Sequence, residues 1–138
     1  MNDISQLLGG QDFDSLSDLI KSNIRILYFR LKQLEAVWGK RLTITSGLRS
    51  MEHQIDVYKI NAAKMGKVFS LGEVPMHSKH LTGEAADILD NNHELYNWCK
   101  NNEQALINIG LWCEDDISQP RLHVQTSSPS SGHRWFLP

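Results

Sequence analysis

The sequence is poor in cysteine and has no excess of charge of either sign, and each shortage excludes a class of protein. Its 138 residues include two cysteines, Cys99 and Cys113, too few for a disulfide-rich secreted scaffold. One disulfide between them is compatible with the sequence, but we expect two buried free thiols. With 14 basic and 16 acidic residues and a formal charge of −2, the chain lacks the basic surface that binds nucleic acid or membranes. We therefore expect neither as a partner.

Long apolar runs are also lacking. No run approaches the roughly 18 residues of a membrane span. The first residues, MNDISQLLGGQDFD, have neither the basic region nor the apolar stretch of a signal peptide. We therefore expect a protein that is cytoplasmic as synthesised. Hydrophobic residues make up 41% of the chain, enough for one monomeric domain with its own core.

The chain divides into four predicted segments of a single domain. Residues 1–13 form a loose leader with glycine breakers. Residues 14–38 carry apolar side chains at three- and four-residue spacing and form a long helix, capped by Asp14 or Ser15. Residues 40–126 form the motif-bearing core, and residues 127–138 form a C-terminal tail whose aromatic side chains favour burial.

Within the core, short strands and helices follow one another. The patterns predict strands at 41–46, 84–89, 109–113 and 122–125, and helices at 50–65 and 91–102. Long helices with scattered short strands are typical of an α+β domain, here a small antiparallel sheet with flanking helices.

The residues that carry chemistry cluster around one glycine. His80 and Asp87 supply a nitrogen and an oxygen ligand seven residues apart, and Gly83 between them allows a tight turn. His123 lies in an alternating segment, so that it and Gln125 face away from Leu122 and Val124. Two histidines and one carboxylate are a common catalytic zinc set that leaves a fourth position for water. Taken by itself, each histidine is more often an ordinary surface or core residue than a metal ligand.

These residues also match a family signature. Ser78, His80, Gly83, Ala85 and Asp87 fit the pattern S-x-H-x-x-G-x-A-x-D, which resembles that of the zinc D-alanyl-D-alanine carboxypeptidases and related peptidoglycan endopeptidases. Residues 44–50, ITSGLRS, are similar to the upstream block of that family, and residues 122–124, LHV, to its distal histidine strand. The last ten residues, PSSGHRWFLP, resemble the tail of phage and prophage members.

The resemblance implies a hedgehog/DD-peptidase-like fold and a role for several residues. His80, Asp87 and His123 would bind Zn²⁺, and Arg49 would hold a substrate carboxylate or the developing oxyanion. Ser78 would support the orientation of a ligand from outside the coordination sphere. The simpler interpretations are a surface or ion-paired Arg49 and a turn residue at Ser78.

The general base is the weak point of the match. Many family members have Glu or His three residues before the distal histidine, where this chain has Pro120. We predict Glu114 as the base, because it follows an apolar strand whose end can reach the cleft, with Asp116 as the alternative. A solvated acidic turn is the simpler interpretation of both.

The resemblance predicts a zinc metallopeptidase that hydrolyses a peptide bond in peptidoglycan, next to a D-amino acid, as carboxypeptidase or endopeptidase. Its substrate would be a peptidoglycan peptide or a small peptide containing D-amino acids. A phage member would reach the cell wall by lysis of the host. The alternatives are a non-catalytic zinc-containing binding or structural protein on the same fold, and a cytosolic D-dipeptidase.

Overall fold

The computed structural model describes residues 1, 3–75 and 77–138. Within them, four α-helices and five β-strands form an α+β arrangement. The helices are α1 (Asp18–Trp38), α2 (Met51–Lys64), α3 (Glu94–Asn101) and α4 (Glu103–Ile109). The strands are β1 (Ile44–Ser46), β2 (Ala85–Leu89), β3 (Trp112–Glu114), β4 (Arg121–Gln125) and β5 (Trp135–Phe136). Short 3₁₀ turns occupy Ile4–Leu7, Phe13–Ser15 and Leu71–Glu73.

The five strands form one sheet in the order β1-β2-β4-β3-β5. The first three pairings are antiparallel, which confirms the predicted α+β class. The last pairing, between β3 and β5, is parallel. The chain reverses direction after β3 and again after β4, so β5 runs in the same direction as β3, and the tail is held at the sheet edge.

Alternation along β2 and β4 gives the sheet one apolar and one polar face. Leu122, Val124 and Ile88 lie in the core together with the buried face of α1, whose members are Ile24, Leu27, Leu31 and Leu34. Each fully buried leucine stabilises the fold by roughly 1.5–3 kcal/mol. Because side chains alternate across a strand, His123 and Asp87 are presented on the opposite face.

Helix α1 begins later than the sequence predicts. Its N-cap is Ser17, whose hydroxyl accepts a hydrogen bond from the Ile20 amide, whereas Ser15 ends a 3₁₀ turn. Leu19, in the first turn of the helix, is 68% exposed and therefore does not belong to the buried stripe. The C-terminal end of α1 lies at Trp38, as predicted, because Gly39 terminates the helix in the left-handed conformation.

The described part of the N-terminal segment, residues 1 and 3–13, is anchored to the core, which differs from the expected loose leader. Met1, Leu7 and Leu8 are buried in the main core. The Leu7 carbonyl accepts a hydrogen bond from the Leu48 amide at 2.8 Å. A Cβ on Gly47 would lie 2.5 Å from the same carbonyl oxygen, so only glycine allows this approach. The segment thereby supports the turn between β1 and α2.

Helix α4 and the position of β3 also differ from expectation. Residues 103–109 form α4, and the strand predicted at 109–113 lies at Trp112–Glu114. Gly110, with a φ of +91°, ends α4 by donating its N–H to the Leu106 carbonyl, so the chain becomes extended only afterwards. Among the described residues, no helix is long and apolar enough to cross a membrane.

Candidate metal centre and active site

Three elements bring the predicted ligands together at the middle of the polar face. Asp87 on β2 lies directly opposite His123 on β4 in the antiparallel register, and side chains so placed share one face. His80 enters from the turn before β2. That turn depends on Gly83, which has a φ of +77° and whose Cβ would lie 2.9 Å from a carbon of Ile24. A side chain at this position would be strained and would collide with α1.

The potential ligand atoms of His80, Asp87 and His123 all lie within 4.8 Å of one another. The Oδ1 atom of Asp87 is 2.9 Å from Nδ1 of His123 and 3.4 Å from Nε2 of His80. The side chains are 5% exposed for His80 and Asp87 and 12% for His123. The sequence prediction and the geometry therefore converge on one cluster.

Each imidazole has a second partner that fixes its orientation. Nδ1 of His80 lies 2.8 Å from the Gly47 carbonyl oxygen, so this nitrogen carries the proton and Nε2 is left as a ligand. Nε2 of His123 lies 3.2 Å from Oε1 of Gln125. Gln125 in turn donates from Nε2 to the Ser127 carbonyl at 2.9 Å. This contact turns its amide oxygen toward His123, whose Nδ1 faces Oδ1 of Asp87.

Asp87 is the electrostatic centre of the cluster. Burial acts to raise its pKa, but hydrogen bonds with His123 and His80 hold the pKa well below its usual range. Two guanidinium groups also contact this carboxylate: Nη2 of Arg49 is 3.4 Å from Oδ2, and Nη1 of Arg121 is 3.2 Å from Oδ1. The buried carboxyl group is therefore ionised and offers a negative ligand oxygen.

The donor set fits a zinc ion. Two neutral imidazole nitrogens and one carboxylate oxygen are the usual ligands of an open catalytic zinc site. A tetrahedral centre with bonds of about 2.0–2.1 Å has ligand-to-ligand edges of about 3.3 Å, close to the 3.4 and 2.9 Å measured from Asp87 Oδ1. Hydrogen bonds from the outer imidazole nitrogens to oxygen acceptors are also typical of metal-bound histidines.

Arg49 lies in the cleft, as the family resemblance implies, and it is also ion-paired to an acidic residue. Its Nε donates to Ser46 Oγ at 3.0 Å and its Nη1 to Gln54 Oε1 at 3.1 Å. Gln54 is only 1% exposed and is held by the Pro75 carbonyl. These contacts fix the plane of the guanidinium group beside Asp87.

A cavity of about 440 Å³ opens beside the cluster, between α2 and the start of β4. Its wall includes both arginines that contact Asp87, together with Tyr58 and Met65 of the α2 region and Glu73 from the following turn. The cavity has the size of a small-ligand site. The cavity borders the cluster through Arg49 and Arg121, which both contact Asp87.

Glu114 lies near the cluster on the sheet. Strand β3 pairs with β4 through Trp112↔Gln125 and Cys113↔Val124. One further step in this register places Glu114 opposite His123, on the face that also carries Asp87. The Glu114 carboxylate makes no hydrogen bond or ion pair with the residues that the structure describes, so it remains available to a ligand.

The other two carboxylates of the acidic turn are engaged elsewhere. Asp115 accepts a hydrogen bond from the Tyr96 hydroxyl at 2.5 Å and pairs with Lys100 at 3.0 Å. Asp116 accepts from both the amide and the hydroxyl of Ser118, which lower its pKa. Asp116, the alternative base, is thus committed to a local turn.

Ser78 and three further residues complete the site. The Ser78 hydroxyl accepts a hydrogen bond from the His80 amide at 3.3 Å, a turn contact that supports the His80 backbone and does not touch the ring. Sequence reasoning missed the roles of the Gly47 carbonyl, Gln125 and Arg121. For Arg121 a signal existed, since it alternates with His123 and Gln125 along β4 and therefore shares their face.

The class of the protein follows from a family comparison. The family model described as VanY, D-alanyl-D-alanine carboxypeptidase, matches residues 18–116, which is more than half of the chain. The protein belongs to this family of carboxypeptidase-type peptidases. The matched part contains His80 and Asp87 but ends before His123, so the family match does not cover the third residue of the cluster. The chain has no significant match among curated proteins or solved structures.

Proposed function

We propose that the protein is a zinc-dependent peptidase that hydrolyses a peptide bond next to a D-amino acid in peptidoglycan-derived peptides. The observation that carries the proposal is the convergence of His80, Asp87 and His123 within 4.8 Å beside an open cavity. Family membership supports the peptidase class and a substrate ending in D-alanyl-D-alanine.

His80 Nε2, Asp87 Oδ1 and His123 Nδ1 would hold the metal ion. When bound there, zinc lowers the pKa of a water in its fourth position to about 7 and polarises a carbonyl oxygen. The Gly47 carbonyl and Gln125 keep the two imidazole rings in the required orientation. The sheet register and these hydrogen bonds would therefore hold the three ligand atoms in position before the metal ion binds.

Glu114 would act as general base and then as general acid. On the polar face opposite His123, its carboxylate can remove a proton from the attacking water and later deliver it to the leaving amine. Such a group contributes about 10²–10⁴-fold in rate. Arg49 would stabilise the oxyanion, because its plane is fixed by Ser46 and Gln54 and its remaining N–H groups border the cavity.

Two measurements on the same preparation test this proposal. Metal content by mass spectrometry should give one zinc per chain. Incubation with N-acetyl-D-alanyl-D-alanine, or with purified muropeptides, should release D-alanine or a smaller peptide, detected by mass. A chelator should abolish release, and added zinc should restore it.

The matched control is the double variant His80→Ala/His123→Ala, which should bind no zinc and release nothing. Stoichiometric zinc without hydrolysis of any of these substrates would contradict the peptidase proposal and favour a binding protein on the same fold. Hydrolysis that survives both the chelator and the double variant would contradict the zinc site. Cleavage restricted to cross-linked muropeptides would identify an endopeptidase.

A further inference from the structure

Arg121 is the part of the site that neither the family motif nor the proposed chemistry uses. Its Nη1 lies 3.2 Å from Asp87 Oδ1, and its side chain is 33% exposed in the wall of the cavity. Among the described residues, this is the one hydrogen-bonded contact of its guanidinium group, whose Nε and Nη2 have no partner there. Arg49, by contrast, is anchored through three of its nitrogens. Arg121 therefore has more N–H groups without a partner among the described residues than Arg49 has.

Asp87 does not need Arg121 as its counter-charge. The aspartate already contacts His80, His123 and Arg49. Lys67 also lines the cavity, and among the described lining residues Glu73 is the one acidic side chain. A dication in the site would increase the positive charge on this wall further. An anion supplied by the ligand is what this wall lacks. A planar guanidinium with free donors binds a carboxylate through two parallel hydrogen bonds.

The position of Arg121 also defines how far this anion can lie from the reacting bond. In a peptide whose last residue is removed, the scissile carbonyl carbon and the terminal carboxylate carbon are separated by three bonds, less than about 4 Å. Arg121 contacts a proposed metal ligand directly, so it is within reach of the carboxylate of a single leaving residue. A longer leaving segment would place a neutral peptide group there.

We propose that Arg121 is a specificity-determining residue that binds the free C-terminal carboxylate of the substrate and makes the protein an exopeptidase. This inference rests on the proposed function, because it assigns the substrate end that occupies the cavity. It predicts that the protein prefers peptides that end in a free carboxylate over peptides that end in a neutral group. This preference then depends on the guanidinium group of Arg121.

The test compares an acid with its amide. Zinc-loaded protein should hydrolyse N-acetyl-D-alanyl-D-alanine with a much lower KM than the same dipeptide ending in a carboxamide. In Arg121→Gln, the KM for the acid should rise about 10- to 100-fold, the loss expected for one charge-assisted pair, and the preference for the acid over the amide should fall by the same factor. Arg121→Lys should restore part of the preference. Arg41→Gln, which removes an exposed arginine outside this cavity, is the charge-matched control and should behave like the native protein.

A second readout does not require turnover. In ¹⁵N NMR titrations, D-alanine should shift signals of the cavity residues and D-alaninamide should not, and the shifts should disappear in Arg121→Gln. Zinc affinity and melting temperature of that variant, measured in parallel, separate carboxylate binding from an indirect effect through Asp87.

Each outcome decides one question. Equal hydrolysis of acid and amide by the native protein, or an equal loss on both in Arg121→Gln, would overturn the inference and leave the peptidase proposal standing. Selective binding of D-alanine through Arg121 without hydrolysis would support the inference and contradict the peptidase proposal.

Discussion

The ligand cluster at the middle of the sheet and the acidic turn at its rim are built from similar residues but behave differently. In the cluster, His80, Asp87 and His123 converge on one point, and each has a further contact that fixes it. In the turn, residues 114–116 carry three carboxylates in a row, and two of them are held by contacts outside the site.

The difference comes from how each group is positioned. The central residues are fixed by strand pairing over long sequence separations, with Asp87 opposite His123. The rim residues follow a short strand, and their carboxylates have different partners: Asp115 contacts Tyr96 and Lys100 of α3, and Asp116 contacts the nearby Ser118. Charge density alone therefore does not select the proposed base, which is the one carboxylate of the three that the register places on the polar face opposite His123.

The largest expected effect separates the central carboxylate from a rim carboxylate. Asp87→Asn should remove the negative ligand and lower kcat/KM by more than about 10⁴-fold, because metal chemistry supplies several kcal/mol of transition-state stabilisation and each 1.36 kcal/mol is tenfold in rate. Bound zinc should fall in parallel. Asp116→Asn is the matched control and should retain both. Full zinc occupancy and activity in Asp87→Asn would mean that the carboxylate of the ligand cluster is no more important than those of the acidic turn.

Among the three carboxylates of the acidic turn, only one should lower kcat strongly when it is replaced by its amide. Glu114→Gln should lower kcat about 10²–10⁴-fold while zinc content stays at the native level, since only the proton transfer is lost. Asp115→Asn and Asp116→Asn should each change kcat less than about threefold, because their carboxylates bind Tyr96 and Ser118. Steady-state kinetics with metal analysis checks all three. A large loss in Asp116→Asn with none in Glu114→Gln would transfer the role of base to Asp116.

The sequence was most informative where local pattern and chemistry coincide. The spacing of His80 and Asp87 around Gly83 and the alternation about His123 depend on nearby residues, and the structure places these side chains as that pattern predicts. The α+β class follows from the same patterns. Family membership agrees with the resemblance carried by the motif.

What the sequence could not predict depends on contacts between distant segments. The packing of Leu7 against the Gly47 turn, the burial of Gln54 behind Arg49 and the parallel pairing of β5 all join parts of the chain that no periodicity relates. Helix α4 was missed because its seven residues directly follow α3 and show too few turns for a clear period. The roles of Glu114, Asp115 and Asp116 could be distinguished only once the hydrogen-bond partners of each carboxylate were known.

A smaller effect tests whether the centre depends on its outer contacts. Gln125→Leu should remove the acceptor that orients His123 and weaken zinc binding about 10- to 100-fold. Gln125→Glu keeps an oxygen acceptor and should bind zinc nearly as well as the native protein. Chelator competition measures both affinities. If Gln125→Leu binds zinc like the native protein, the orientation of His123 is fixed by the strand pairing alone.

The smallest effect concerns the structural role of the rim. Tyr96→Phe removes the hydrogen bond to Asp115 and should lower the free energy of unfolding at pH 7 by about 0.5–1.5 kcal/mol. Tyr58→Phe, which loses a hydroxyl that has no hydrogen-bond partner among the described residues, is the control. Denaturant unfolding over a range of pH measures the difference between the native protein and each variant.

The pH dependence of that difference has a definite sign at both ends. The Tyr96 hydroxyl and Lys100 lower the pKa of Asp115 below 3.8, so the stabilisation is complete above pH 3.8 and is lost as the pH falls through the folded-state pKa. The same bond, with burial, raises the pKa of Tyr96 from 10.0 to about 12, so the stabilisation is also lost between pH 10 and 12. The difference in the free energy of unfolding between the native protein and Tyr96→Phe should therefore be constant between these two limits and should become smaller outside them. If this difference in unfolding free energy is unchanged at pH 2.5, Asp115 does not stabilise the acidic turn through its charge. The ligand cluster and the acidic turn would then differ in geometry alone.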